Sequence, residues 1–144
     1  MSKKINLLET GNMLLAAQKI VLCCHVSPDG DTLGSALGLA RLLEQKGKEV
    51  TVFVDDDINK SLNFIPGIEK VQRPEAGVIV EADLFVVVDA SSFDRVGICN
   101  EVVKAPVLLN IDHHISNTEF ADYLYLDAEA AAAGEIMCDQ RYGN

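Results

Sequence analysis

The chain has 144 residues, which fits one domain, and 49% of them are apolar, enough for a packed core and too many for a disordered chain. Its net charge of −10 and pI near 4.6 disfavour a groove that holds long nucleic acid by charge, because such a groove is built from clustered Lys and Arg. A small phosphate ligand is not excluded, since bound divalent cations reverse the local field.

Residues 5–17 carry Ile5, Leu8, Leu14, Leu15 and Ala17 on a helical period, weakened by Gly11. This predicts a short amphipathic helix over one face of a sheet. The start, Met1-Ser2-Lys3-Lys4-Ile5-Asn6, lacks the apolar run of a signal peptide, and no run is long enough to span a bilayer. A cytoplasmic location without membrane contact is the expectation. Cys23, Cys24, Cys99 and Cys138 form no Cys-x-x-Cys pair and read as small core residues of a reducing compartment.

Ile20 to Cys24 predicts a buried strand that runs to about residue 25, followed by the loop His25-Val26-Ser27-Pro28-Asp29-Gly30-Asp31. A helix is expected from about 32 to 46, ending at Gly47. The loop offers one imidazole and two carboxylates. Pro28 fixes φ and Gly30 permits a sharp turn, so Asp29 and Asp31 can converge. Such a mixed nitrogen and oxygen donor set suits Mn²⁺, Zn²⁺, Fe or Mg²⁺ rather than a thiolate metal. The plainer alternative is a Pro-Asp-Gly turn with Asp31 as a helix cap.

Val50 to Val54 is the next predicted strand, and Asp55-Asp56-Asp57 after it reads as a solvated loop rather than a ligand cluster. Phe64-Ile65-Pro66-Gly67 reads as a turn, with Val71 and Val78-Ile79-Val80 as short strands. Leu84 to Val88 is continuously apolar, as in a parallel strand buried on both faces, and it ends in Asp89. Phe93 to Gly97 leads into a helix or loop. Val107 to Ile111 is a further strand, followed by Asp112-His113-His114. Tyr123 to Leu126 is a short strand, and Ala128 to Tyr142 a final helix. Strands alternating with helical segments predict an α/β fold of three layers, a mainly parallel sheet with helices on both faces. The strands at 20–25, 84–89 and 107–111 are expected at its centre. All three end in metal-type side chains, and open α/β sheets bind ligands outside the carboxyl ends of their strands.

His25-x-x-Pro28-Asp29-Gly30-Asp31-x-x-Gly34-Ser35, the strand-final Asp89 and Asp112-His113-His114 resemble the first three motifs of the DHH phosphoesterases. Within that family the chain is most similar to the bacterial oligoribonuclease and phosphoadenosine-phosphate phosphatase branch. Supporting stretches are Asp89-Ala90-Ser91-x-x-Asp94-Arg95-Val96-Gly97, Phe64 to Gly67, and Ala131-Ala132-Ala133-Gly134-Glu135-Ile136. The resemblance implies a Rossmann-like domain with a pair of divalent metals, usually Mn²⁺, with Mg²⁺ or Co²⁺ as alternatives. By motif position, it assigns His25 and Asp29 to one metal, Asp31 and His113 to the other, and Asp89 to both. His114 and Asp112 become the catalytic candidates, the first on the scissile phosphate or supporting the metal ligands from behind, and the second orienting the histidines. Ser35 and Arg95 join His114 as candidate substrate contacts.

The implied activity is phosphoester hydrolysis on short oligoribonucleotides and adenosine bisphosphate. Short RNA or a nucleotide is then the partner, not a long duplex or a membrane, and a full-length protein has room to form a homodimer. A manganese-dependent pyrophosphatase ranks second, because that branch resembles Asp-Thr-Asp where this chain has Gly30 between its carboxylates. A cyclic-dinucleotide phosphodiesterase and a metal- or nucleotide-binding fragment without turnover are the remaining alternatives. The family's fourth motif, an aspartate on a later strand, and its C-terminal substrate domain find no counterpart before Asn144. Residues 1–144 are therefore expected to form a C-terminally incomplete catalytic domain. Alone, it should hold at most one Mn²⁺ tightly, through His25, Asp29 and Asp89, with turnover of short RNA very low or undetectable.

Overall fold

The structure is a computed structural model that describes residues 2–126. The expected helix at 128–142, with Cys138 and the alanine-rich stretch, lies outside the described residues. Seven strands make the main sheet: β1 (Lys3–Lys4), β2 (Lys19–Cys24), β3 (Glu49–Phe53), β4 (Val71–Gln72), β6 (Leu84–Val88), β8 (Leu108–Asp112) and β9 (Tyr123–Leu126). Their order is β1-β9-β8-β6-β2-β3-β4, and every neighbouring pair is parallel. The strands expected at the centre, β2, β6 and β8, are there. β5 (Val80–Glu81) and β7 (Val103–Lys104) form a separate two-stranded parallel ribbon.

Alternation along the strands divides the core into two layers. Ile20, Leu22, Cys24, Val86, Val88, Leu109 and Ile111 face α1 (Leu7–Ala16) and α2 (Gly30–Gln45), which bring Leu14, Leu33, Ala36, Leu37 and Leu43. On the opposite face Val21, Cys23, Phe85 and Val87 meet Val96, Cys99 and Val102. These come from a 3₁₀ turn at Phe93–Val96 and the short α3 (Cys99–Val102). Helical cover on that face is brief among the described residues, and the β5–β7 ribbon extends it. No helix among the described residues is long and apolar enough to cross a membrane.

Caps fix the helix ends. Asn6 accepts the Glu9 N–H at 2.8 Å while Glu9 accepts the Asn6 N–H at 3.0 Å, a reciprocal capping box at the start of α1. At the end of α2, the Gly47 N–H donates to Glu44 and the Lys48 N–H to Leu43, with Gly47 at φ +82°. This is the glycine-terminated stop anticipated there. Its start differs from expectation. Asp29, not Asp31, caps the helix, taking the Thr32 N–H at 2.8 Å, so α2 begins at Gly30. Val78 and Ile79 are exposed and lie outside β5, whose pairing begins at Val80.

Register positions the site. Cys24 pairs with Val88, and Val88 with Ile111. The next residues, His25, Asp89 and Asp112, therefore leave the sheet side by side at its carboxyl end.

Candidate metal centre

A cavity of about 260 Å³ opens at this end of the sheet, lined by His25, Asp29, Asp31, Asp89, Arg95 and His113 together with His114, Ala90 and Ser91. Seven of the nine residues named from sequence as metal-binding, catalytic or substrate-binding thus share one cavity, while Asp112 and Ser35 do not line it. Asp112 is fully buried beneath the histidines. Ser35 is buried in α2, where its hydroxyl donates to the Asp31 carbonyl at 2.7 Å; a serine one turn into a helix finds the carbonyl four residues back closer than any ligand.

His25 and His114 are held by different devices. His25 Nδ1 lies 2.6 Å from the Val26 carbonyl. A carbonyl only accepts, so Nδ1 carries the proton and Nε2 presents a lone pair to the cavity. His114 Nδ1 lies 2.6 Å from Asp112 Oδ1, and a carboxylate likewise places the proton on Nδ1. The rings of His113 and His114 lie 4.3 Å apart between centroids, tilted by 31°.

Asp89 is the hub. It is a non-glycine residue at φ +61° and is 8% exposed. Its Oδ2 accepts the Thr32 hydroxyl at 2.6 Å and stands 3.9 Å from His25 Nε2. Its Oδ1 lies 2.8 Å from His113 Nε2, but the contact lacks hydrogen-bond alignment, so this buried oxygen has no donor among the described residues. A buried carboxylate oxygen without a donor is costly unless a cation faces it. Asp89, Asp112, His113 and His114 bring one donor atom each within 4.8 Å of one another. Of these, both Asp112 oxygens are already occupied, by His114 and by Asn117 Nδ2 at 2.8 Å. Three carboxylates and two presented imidazole nitrogens around one cavity fit a hard or borderline divalent ion.

Asp29 and Asp31 are exposed at the start of α2. The Thr32 N–H holds the Asp29 carboxyl below its ordinary value, more strongly than partial burial raises it. The ionised form is the one a metal needs. Of the acidic triplet, Asp55 accepts the Ile98 N–H and Asp56 the Ser27 N–H, both at 2.8 Å, while Asp57 pairs with Arg73 at 3.1 Å. None of the three lines the cavity, in line with a loop role.

The description "DHH family, N-terminal domain" matches residues 19–142. The chain belongs to the DHH family. A bifunctional oligoribonuclease and PAP phosphatase, NrnA of Thermus thermophilus, is 35% identical over 123 residues, covering 83% of this chain and 35% of that protein. More distant is a probable manganese-dependent inorganic pyrophosphatase of Enterococcus faecalis, 28% identical over 116 residues, 77% of this chain and 36% of its own length. The crystal structure of an exopolyphosphatase-related protein from Bacteroides fragilis superposes with a TM-score of 0.82 at 28% identity, over 94% of this chain and 44% of that one. This DHH chain spans about a third of the length of the curated relatives it matches.

Sequence reasoning missed three residues of this DHH centre. Thr32 is fully buried and supplies the one hydroxyl on Asp89. Asn110 and Asn117 sit behind the histidines. Asn110 carried a signal, a lone amide inside an apolar strand. Thr32 and Asn117 carried none.

Proposed function

We propose that this chain is the metal-binding, catalytic part of a phosphoester hydrolase acting on short oligoribonucleotides and adenosine bisphosphate. The observation that supports this most is Asp89, a buried carboxylate in left-handed backbone between two histidines, with one oxygen lacking a donor among the described residues. His25, Asp29 and Asp89 would hold one divalent ion, and Asp31, Asp89 and His113 a second, with Mn²⁺ the ion in the pyrophosphatase relative's name. Such ions, when bound, supply an activated water and neutralise charge on the phosphate.

The chain's own side chains do the rest. The Val26 carbonyl keeps His25 Nε2 deprotonated and aimed inward. Thr32 holds Asp89 by one oxygen and leaves the other for the cavity. Asp112 fixes the direction of His114, whose Nε2 edge contacts the scissile phosphate. Arg95 is the one Lys or Arg on the cavity wall among the described residues, and its backbone carbonyl accepts the Val26 N–H at 2.7 Å, which ties its main chain to the first loop. It orients a phosphate oxygen. The substrate-holding domain of such an enzyme lies, in this reading, outside residues 1–144.

Calorimetric titration with Mn²⁺ tests the centre, and hydrolysis of dinucleotide RNA, adenosine bisphosphate and pyrophosphate tests the chemistry. Mn²⁺ binding that disappears in Asp89→Ala is expected, with slow cleavage of RNA and bisphosphate. Equal binding by wild type and variant would overturn the metal centre. Cleavage of pyrophosphate alone would move the chain to the pyrophosphatase branch.

A further inference from the structure

His114 and Asp89 follow different strands, yet one hydrogen-bonded chain of side chains joins what supports them. Asn110 is fully buried in β8. Its Nδ2 donates to the carbonyls of Val87 at 3.0 Å and Ala90 at 3.1 Å. Those carbonyls bracket Asp89, whose positive φ persists only where its surroundings over-determine it. Asn110 Oδ1 accepts from Asn117 Nδ2 at 2.7 Å, and the same Nδ2 donates to Asp112 Oδ2 at 2.8 Å. Asn117 Oδ1 takes the Glu119 N–H at 2.7 Å. That fixes the amide's orientation, because reversing it would set its oxygen against two acceptors. Asp112 then gives its other oxygen to His114 Nδ1.

We propose that Asn117 is a positioning residue of this centre. One amide group ties the left-handed backbone at Asp89, through Asn110, to the tautomer and direction of His114, through Asp112. Asn117 does not line the cavity and touches neither ion nor substrate in this arrangement. Its removal leaves Asp112 with a single donor, and a buried carboxylate so exposed to its own charge turns to find another. His114 then loses the partner that sets its proton. The role rests on the hydrolase reading above, but its physical signature does not.

Imidazole nitrogen NMR on the metal-free chain at about pH 8, where a free imidazole is neutral, gives that signature. In wild type, His25 and His114 both show the Nδ1–H tautomer. In Asn117→Ala, His114 shifts toward comparable populations, about a tenfold change in ratio, while His25 stays as it was because the Val26 carbonyl holds it. Asn117→Leu, of similar size and without donors, repeats the effect. With Mn²⁺ and short RNA, kcat of either variant falls about 10- to 100-fold and KM changes less than about threefold. A folded variant with His114 unchanged overturns the proposal, whether or not the chain hydrolyses RNA. Failure of both variants to fold also overturns it, by making Asn117 a structural anchor only. An altered His114 in a chain that cleaves pyrophosphate alone would leave the positioning intact and fail the oligoribonuclease reading instead.

Discussion

Both ends of the sheet carry carboxylates, and the backbone treats them differently. At the amino end, Asp83 Oδ2 accepts the N–H groups of Gln18 at 3.1 Å and Lys19 at 2.8 Å, and Asp122 Oδ2 accepts the Leu108 N–H at 2.8 Å. Where strands enter a sheet, unpaired N–H groups are at hand, and a carboxylate is satisfied by main chain alone. At the carboxyl end the strands leave with carbonyls, and an acid there must draw donors from elsewhere. Asp55 draws the Ile98 N–H and Asp112 draws Asn117 and His114. Among the described residues Asp89 draws only Thr32, and its second oxygen stays without a donor. The same residue type is thus a brace at one end and an unmet demand at the other.

Changing Asp89 breaks this contrast most. Asp89→Asn is expected to weaken Mn²⁺ binding by more than about a hundredfold, beyond the loss typical of a group that merely supports a ligand. The same change should raise the thermal midpoint of the metal-free chain, by about 1 kcal/mol of stability, because the amide removes the unmet buried charge and its Nδ2 can donate to His113 Nε2. Calorimetry and a melt without metal read the two effects. A drop in metal-free stability would show that Asp89 is satisfied after all.

Gly97 sharpens the contrast from the loop side. It has φ +62° and ψ −139°, and a Cβ there would fall 2.8 Å from the Asp55 Cβ and closer still to its Oδ2. The turn that lends Asp55 its N–H requires this glycine. Gly97→Ala is expected to cost about 2–3 kcal/mol in denaturant unfolding while leaving the Asp89 contacts in place.

At the amino end the effects are smaller and depend on pH. The N–H groups of Lys19 and Gln18 hold the Asp83 carboxyl below its ordinary 3.8. A lowered carboxyl stabilises the fold above the unfolded value, and that contribution is lost as pH falls below 3.8 through the folded one. Asp83→Asn should therefore lower the melting midpoint modestly at pH 7 and flatten its decline in acid. An identical acid decline in wild type and variant would remove Asp83 from the contrast. Smallest of all is the response of the buried thiols. Burial first, then the nearby Asp89, push Cys24 up to about 12, and burial with the neighbouring Cys99 raises Cys23. Neither should be alkylated at about pH 8 until the chain unfolds, and labelling followed by mass spectrometry reads this.

The central strands were legible because burial on both faces leaves an uninterrupted apolar run, as in Leu84 to Val88. Charged β1 was not, since Lys3 and Lys4 are strand only by pairing with Tyr123 and Leu124. The helix start at Gly30 was misplaced by two residues, because Asp29 and Asp31 are equally good caps and only the loop path chooses between them. At the site, the residues with strong charge or imidazole announced themselves at strand ends. Ser35 looked equally functional but lies where its own helix takes its hydroxyl. Asn117 and Thr32 gave no pattern at all, because their value comes from partners 5 to 57 residues away in the chain.

The edge pairing of β1 has a consequence for how the chain comes to be folded. Lys3 lies beside Tyr123, and the Ser2 hydroxyl donates to the Ala121 carbonyl at 2.5 Å. Residues 2–4 thus wait for partners made more than a hundred residues later. At roughly 5–20 residues per second, that wait on a ribosome lasts several seconds, during which the β9 partner does not exist. Until then, the two lysines of β1 deter pairing with other chains. Closing so long a loop comes late and slowly, so β1 should dock as the finishing step of folding and be the first strand to leave on unfolding.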